Sequence, residues 1–233
     1  MRKLFLSGAS AVAMMLNTSI AHAENSTGNS MGLDWYVNLF GGYSTADKTN
    51  FDFIDLAGIS WDATHTWDNG FLIGGAIGTR VFDTVRAEVE LSYQGIDAGN
   101  SSIIARGITN NDHGSNDAIF LLGNIWYDID LGTPLIPYVG GGIGVAFVDQ
   151  KIDIQAPGAP GGGVGTDGTD TTFAFQVGAG LKYHLTDKLA LDLSYRFRGI
   201  TGVDILGQVV GRNYNNQDIY THNVLVGITY NFN

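Results

Sequence analysis

The chain has 233 residues, no cysteine and a formal net charge of −11, with 44% hydrophobic but only 15% charged residues. The acidic balance argues against a nucleic-acid partner, which needs a basic surface to meet phosphates. The absence of cysteine excludes a disulfide framework, and the length fits a single barrel or sandwich.

The first 23 residues have the pattern of a secretory signal. Arg2 and Lys3 precede an apolar stretch from Leu4 to Leu16, and an Ala-x-Ala site ends at Ala23. This pattern is typical of a signal peptide that is cleaved after the second alanine. The apolar stretch is shorter than the ~20 residues of a membrane-spanning helix, so an uncleaved anchor is the weaker interpretation. We therefore predict a signal peptide at residues 1–23 and one barrel domain at residues 24–233.

Eight later stretches alternate between an apolar residue and a small or polar one. Alternate side chains of a strand lie on opposite faces, so each stretch predicts a strand with two different faces. The last stretch has the clearest alternation and matches the roughly 9–11 residues of a strand that crosses a bilayer. Two copies are imperfect, because Tyr36 and Phe40 in the first and Phe120 and Leu122 in the fourth are large apolar residues on the small or polar face. The eight stretches span residues 33–40, 71–81, 85–94, 119–129, 138–147, 173–184, 189–198 and 219–232.

The connectors alternate between short and long. Short turns are predicted around Asp83, Gly132 and Asp187, and long polar loops are predicted at residues 44–69, 96–116, 149–171 and 199–218. Short turns at one end and long loops at the other are typical of a closed up-and-down sheet. The predicted fold is therefore all-β, an eight-stranded antiparallel up-and-down transmembrane β-barrel with both termini at the short-turn end.

The small or polar face carries charges of both signs. The interior of an eight-stranded barrel is just wide enough to be filled by side chains, and buried charges must be paired. The other face is apolar with aromatic residues near its ends, which suits lipid and its two interfaces. We therefore place the charges inside and expect Glu88 or Glu90 to pair with Arg196 across the lumen; a soluble barrel with an inward apolar face is the weaker alternative. The predicted luminal charge network is Arg80, Arg86, Glu88, Glu90, Lys182, Asp192, Arg196 and Arg198.

Several of these features together resemble a known family. The signal peptide, the two-faced strands, the glycine-rich run from Pro137 to Gly144 and the ending Tyr230-Asn231-Phe232 resemble the small outer-membrane β-barrel family of Gram-negative bacteria, the OmpA-like and opacity-type surface proteins. The resemblance implies location in the cell outer membrane, contact with outer-membrane lipid and insertion by the barrel-assembly machinery. It also implies an assembly signal at Tyr230 and Phe232, although Asn233 follows the usual aromatic end.

No catalytic, metal-binding or cofactor-binding residue is predicted. His222 is expected on the lipid face, and His184, Asp192 and Ser194 are expected to pack inside the lumen rather than to form a triad. The acids near Asp167 lack the spacing of a calcium-binding EF-hand loop. The glycine-rich stretches lack the lysine of a phosphate-binding loop.

The expected function is structural. We expect a monomeric, non-enzymatic outer-membrane protein that presents four acidic loops outside the cell. Two alternatives stay open: a narrow, porin-like passive channel for ions or small solutes, and an adhesin or receptor whose loops bind a host surface or a small ligand. The luminal charges distinguish a channel from a structural protein, because a closed and complementary network leaves no continuous water path.

Overall fold

The computed structural model describes residues 34–47, 49–54, 60–103, 108–111, 113–155, 163–203 and 217–232. The predicted signal peptide at residues 1–23 lies outside these ranges. No helix within them has the length and apolar character needed to cross a membrane. The strands of the described ranges are β1 (Trp35–Ala46), β2 (Thr49–Ile54), β3 (Ser60–Phe82), β4 (Val85–Ile103), β5 (Ile108–Asn111), β6 (His113–Asp128), β7 (Leu135–Gln155), β8 (Gly163–His184), β9 (Leu189–Val203) and β10 (Gln217–Asn231).

Eight of these strands form a closed antiparallel ring. Around the ring the order is β3, β1, β10, β9, β8, β7, β6 and β4, and β4 pairs with β3 to close it. The last strand seals against the first, with Tyr230 opposite Val37 and Val224 opposite Tyr43. Closure leaves no unpaired strand edge in the wall, which a sheet surrounded by lipid requires. The predicted eight-stranded up-and-down barrel is confirmed.

The two ends of the barrel differ as predicted, but all four long connectors contain more strand than expected. The turns at residues 83–84, 129–134 and 185–188 are short and lie at one end. At the other end, strands continue through much of the segments that were predicted to be loops. The ladder between β7 and β8 runs without a break up to the pair of Gln155 and Gly163. In addition, β2 pairs with β3, and β5 pairs with β4. A hairpin surrounded by water needs no apolar face, so its residues lack the alternation on which the prediction relied.

The outer face of the ring is apolar. Leu39, Ile143 and Val226 each have more than 60% of their surface exposed, and similar residues surround the barrel. So large an exposed apolar surface marks contact with lipid. Exposed aromatic residues lie at the short-turn end (Trp35, Tyr127, Tyr183, Tyr230 and Phe232) and towards the long-loop end (Tyr43, Phe71, Phe147, Phe173 and Tyr195). This distribution matches the two aromatic girdles of a transmembrane barrel.

Luminal glycines make room for two large rings. A methyl group added at Gly180 would lie 2.5 Å from the hydroxyl oxygen of Tyr138, and one added at Gly78 would lie 2.6 Å from that of Tyr36. Side-chain atoms do not approach so closely, so each ring occupies the space that a side chain of its neighbour would fill. This packing explains part of the high glycine content.

The Gly180→Ala substitution is expected to lower the free energy of unfolding by about 1–3 kcal/mol, the usual cost of overpacking. Tyr138 cannot easily move away, because its hydroxyl donates to Asp192 and its ring packs edge-on against Trp126. Urea unfolding of the protein refolded into vesicles measures the change. Gly123→Ala is the matched control, since its added methyl group would meet only the carbonyl of Ile143 at 3.9 Å. Equal stability of the two variants would contradict the packing described here.

Candidate functional site: the luminal network

The lumen contains a balanced set of buried charges. Seven of the eight residues predicted from the sequence are buried, and Asp128 joins them. The eighth, Arg80, lies at the short-turn mouth with 37% of its side chain exposed, 3.8 Å from Asp128, and donates to the carbonyl of Asp83. In the described part of the chain the buried charged residues are four acids (Glu88, Glu90, Asp128, Asp192) and four bases (Arg86, Lys182, Arg196, Arg198), so their formal charges cancel.

Glu90 is the centre of the network. Arg196 donates to its Oε2 at 2.8 Å, and Arg198 donates to its Oε1. The side-chain amides of Asn124 and Gln176 also donate to Oε2, at 3.0 Å and 2.9 Å. The Glu90 side chain is fully buried. Its charge is therefore compensated by two guanidinium groups, as burial demands.

The contacts of Glu90 span the whole diameter of the barrel. Glu90 lies on β4, whereas Arg196 and Arg198 lie on β9. In the ring, β9 is the fourth strand from β4 in either direction, so the two strands face each other across the lumen. The pairs Glu90–Arg196 and Glu90–Arg198 therefore cross the space through which a pore would have to run.

Aromatic rings cover the two arginines. The guanidinium group of Arg196 lies 4.5 Å from the ring centre of Phe40 and 5.3 Å from that of Trp126. The guanidinium group of Arg198 lies 4.9 Å from the ring centre of Phe120. Cation–π contacts of this kind stabilise a desolvated cation and exclude water from it.

A second group of charges lies nearer the short-turn end. Arg86 pairs with Asp128 at 2.9 Å and with Glu88 at 3.0 Å. Glu88 also accepts hydrogen bonds from the hydroxyl of Tyr36 at 2.6 Å and from the indole of Trp126 at 2.8 Å. These partners occupy both oxygens of Glu88. They leave Glu90, rather than Glu88, to pair with Arg196.

Asp192 and Lys182 are neighbours in the β8–β9 register. Asp192 accepts hydrogen bonds from the hydroxyl of Tyr138 at 2.8 and 2.9 Å. The ammonium group of Lys182 lies 5.2 Å from the ring centre of Tyr36. Two tyrosines that sequence reasoning did not assign to the network thus belong to it.

Towards the long-loop end the lumen contains apolar side chains together with buried polar ones such as Gln94 and Asn223. Phe120 and Leu122, which interrupt the alternation of the fourth predicted strand, point inward and are buried. These side chains form two clusters beside the ionic groups. One apolar cluster contains Ala118, Phe120, Leu122, Ala146, Val148, Ala174, Ile200 and Ile219, and another contains Phe40, Leu72, Ala76 and Leu225.

The residues considered for catalysis do not converge. His222 lies on the outer face, where Nδ1 is 2.6 Å from the Tyr195 hydroxyl. Asp192 is held by Tyr138, and no hydrogen bond of the described residues joins Asp192 or Ser194 to His184. Among the described side chains, no three His, Asp or Glu residues are grouped as metal ligands would be. The side chain of Asp167 lies outside the described part.

A closed sheet that is apolar outside and ion-paired inside defines the class of membrane-spanning β-barrels. Within that class, the chain belongs to the outer membrane protein β-barrel domain family, whose model matches residues 8–232. The family places the protein in the outer membrane of a Gram-negative bacterium.

Individual relatives agree with this family. Outer membrane protein PagN of Salmonella typhimurium is 29% identical over 172 residues, which cover 68% of this chain and 72% of PagN. Neisserial surface protein A has a similar structure, with a TM-score of 0.51 and 18% identity over 85% of this chain and 97% of that chain. The outer membrane protease OmpT of Escherichia coli has a TM-score of 0.52 and 9% identity over 89% of this chain and 99% of that chain. At these identities the two solved structures establish the fold alone.

Proposed function

We propose that the protein is a closed, non-catalytic outer-membrane scaffold that presents the long segments between its strands at the cell surface. The observation that supports this function is the bridge from Glu90 to Arg196 and Arg198 across the lumen. A barrel whose interior is spanned by compensated charges is a rigid support rather than a conduit. In such folds the work is done by the loops that the scaffold positions.

The interior of the barrel argues against the alternative function, a passive channel. A conducting lumen needs a continuous column of water, but Glu90, Arg196 and Arg198 are at most 1% exposed. The rings of Phe40, Trp126 and Phe120 cover the two guanidinium groups from several sides. Opening a path would separate buried ion pairs, at a cost of about 3–5 kcal/mol for each broken pair.

A binding role for the surface segments is a refinement of the scaffold function. The β7–β8 ribbon continues to Gln155 and Gly163, well beyond the apolar band. A stiff ribbon of this kind holds a polar surface away from the membrane, where a host surface or a small ligand can reach it. The predicted loops are acidic, which favours basic partners.

The end of β10 is proposed as the signal for the barrel-assembly machinery. Tyr230 and Phe232 are exposed, and their ring centres lie 5.5 Å apart. The amide of Phe232 donates to the carbonyl of Trp35 at 3.0 Å, so this signal lies beside the seam that closes the barrel. The closed ring leaves no wall strand unpaired, which supports the proposal that the barrel is a monomer.

Liposome swelling tests the closed lumen. Proteoliposomes diluted into isotonic arabinose are expected to swell no faster than protein-free liposomes, because no water path crosses the ionic layers. The refolded fraction is checked by its altered gel mobility before boiling. A swelling rate that rises in proportion to the amount of refolded protein would overturn the scaffold function in favour of a channel.

A further inference from the structure

A groove of about 400 Å³ lies at the long-loop end of the barrel, over strands β3, β4 and β6. It is separate from the packed lumen, because Phe71 on its wall is 54% exposed on the outer face. The ladder between β3 and β4 shifts its register between Trp67 and Gly70, directly beside the groove. The lining residues are Asn69, Gly70, Phe71, Tyr93, Gly95, Ile96 and Asp117.

The groove combines aromatic walls with a carboxylate. The rings of Phe71 and Tyr93 lie 5.7 Å apart and are tilted by 48°. Asp117 accepts a hydrogen bond from the Tyr93 hydroxyl at 2.5 Å, and the Ser115 hydroxyl lies 3.4 Å from its other oxygen. Gly95 forms the floor, since a methyl group there would lie 3.4 Å from both Asp117 and Phe71. The glycine thus keeps open the space between the carboxylate and the rings.

Among the described side chains, no cation forms an ion pair with the negative charge at this place. Asp117 stands directly opposite Asp149 in the β6–β7 register. Two like charges in this position destabilise a sheet. None of the ion pairs of the described residues includes either aspartate. One carboxylate oxygen of Asp149 is shielded from solvent and has no hydrogen-bond partner within the described ranges.

We propose that this groove binds an organic ammonium group, which would sit between the ring of Phe71 and the carboxylate of Asp117. Aromatic faces and a carboxylate both attract such a cation, and an apolar stem would fit against the rings. A bare divalent metal fits less well, because calcium takes six to eight oxygen ligands and gains nothing from ring walls. The groove lies at the level where lipid head groups meet water, so the ammonium can belong to a lipid head group or to a free amine. This inference is independent of the closed lumen.

Amide NMR of the refolded protein tests the site. Ethanolamine titrated into protein in micelles represents the free amine, and nanodiscs containing phosphatidylethanolamine, compared with phosphatidylglycerol alone, represent the lipid. We expect a saturable shift of the Gly95 and Asp117 amides in at least one arm. A response to ethanolamine identifies a site open to free amines, and a response in nanodiscs alone assigns the ammonium to lipid.

Three variants locate the binding. Asp117→Asn is expected to weaken it about tenfold or more, and Phe71→Leu about threefold to tenfold, because they remove the charge and the ring in turn. Asp187→Asn, at the opposite end of the barrel, serves as the control and should bind as wild type. Unchanged gel mobility before boiling shows that each variant is folded. The proposal is overturned if neither arm saturates, if Asp117→Asn binds as well as wild type, or if calcium saturates the same amides and the amine does not.

Discussion

Replacing Glu90 with alanine is expected to lower the free energy of unfolding by about 3–5 kcal/mol, the cost of removing one partner from a buried ionic group. The substitution leaves the guanidinium groups of Arg196 and Arg198 without their shared carboxylate. Asn124 and Gln176 lose their acceptor as well. Solvent does not compensate these groups in the wild type, because Glu90, Arg196 and Arg198 are at most 1% exposed.

Urea unfolding in lipid vesicles, followed by tryptophan fluorescence, measures this loss. Leu91→Ala is the matched control, since Leu91 is the next residue on β4 and faces outward with 38% of its surface exposed. We expect the control to lose clearly less stability than Glu90→Ala. A combined variant with leucine at position 90 and methionine at positions 196 and 198 should recover most of the stability, because well-packed apolar groups can replace a buried ionic triad. A Glu90→Ala variant as stable as Leu91→Ala would refute the proposed bridge.

Deleting Tyr230 to Asn233 is expected to abolish insertion into the outer membrane almost completely. The deletion removes the residues that pair with Tyr36 and Val37, so β1 keeps an open edge where the barrel should close. An unpaired edge in lipid leaves backbone groups unsatisfied at several kcal/mol each, roughly, and exposes the chain to aggregation. The deletion also removes both rings of the proposed assembly signal.

Cell fractionation and gel mobility before boiling measure the insertion. Deletion of Asn233 alone is the matched control: it leaves Phe232 as the last residue and should insert normally. The variant lacking all four residues should be degraded or remain in the periplasm. Its normal recovery in the outer membrane would show that closure and recognition depend on other parts of the chain.

The wall strands could be predicted because lipid and lumen impose opposite demands on neighbouring residues. The alternation from Ile219 to Phe232, for instance, became a strand that pairs with both β1 and β9. The same signal is absent in residues 149–155 and 163–171, although these also form a ladder. In water both faces of a ribbon can be polar, so nothing in the sequence distinguishes such a ribbon from a loop.

The charged residues of the lumen could be listed from the sequence, but their neighbours could not. Asp128 lies in the stretch whose alternation Phe120 and Leu122 interrupt, so its part in the network was missed. The tyrosines Tyr36 and Tyr138 supply hydroxyl donors to luminal carboxylates. Tyr36 and Tyr138 alternate with the lipid-facing residues of their strands, as the luminal charges do, so this pattern could have indicated both tyrosines. The pairing of partners on opposite strands depends on the stagger of the barrel, which alternation does not reveal.

Conductance across a planar lipid bilayer tests the central claim most directly. Purified wild-type protein, refolded and inserted at high salt, is expected to show no steady current above the bare bilayer, because Glu90, Arg196 and Arg198 bridge the lumen. The double variant Glu88→Ala/Glu90→Ala, which breaks both ionic layers, is expected to leak and shows that the assay detects an opened barrel. A stable wild-type current that rises in proportion to salt concentration would contradict the closed scaffold and establish a channel.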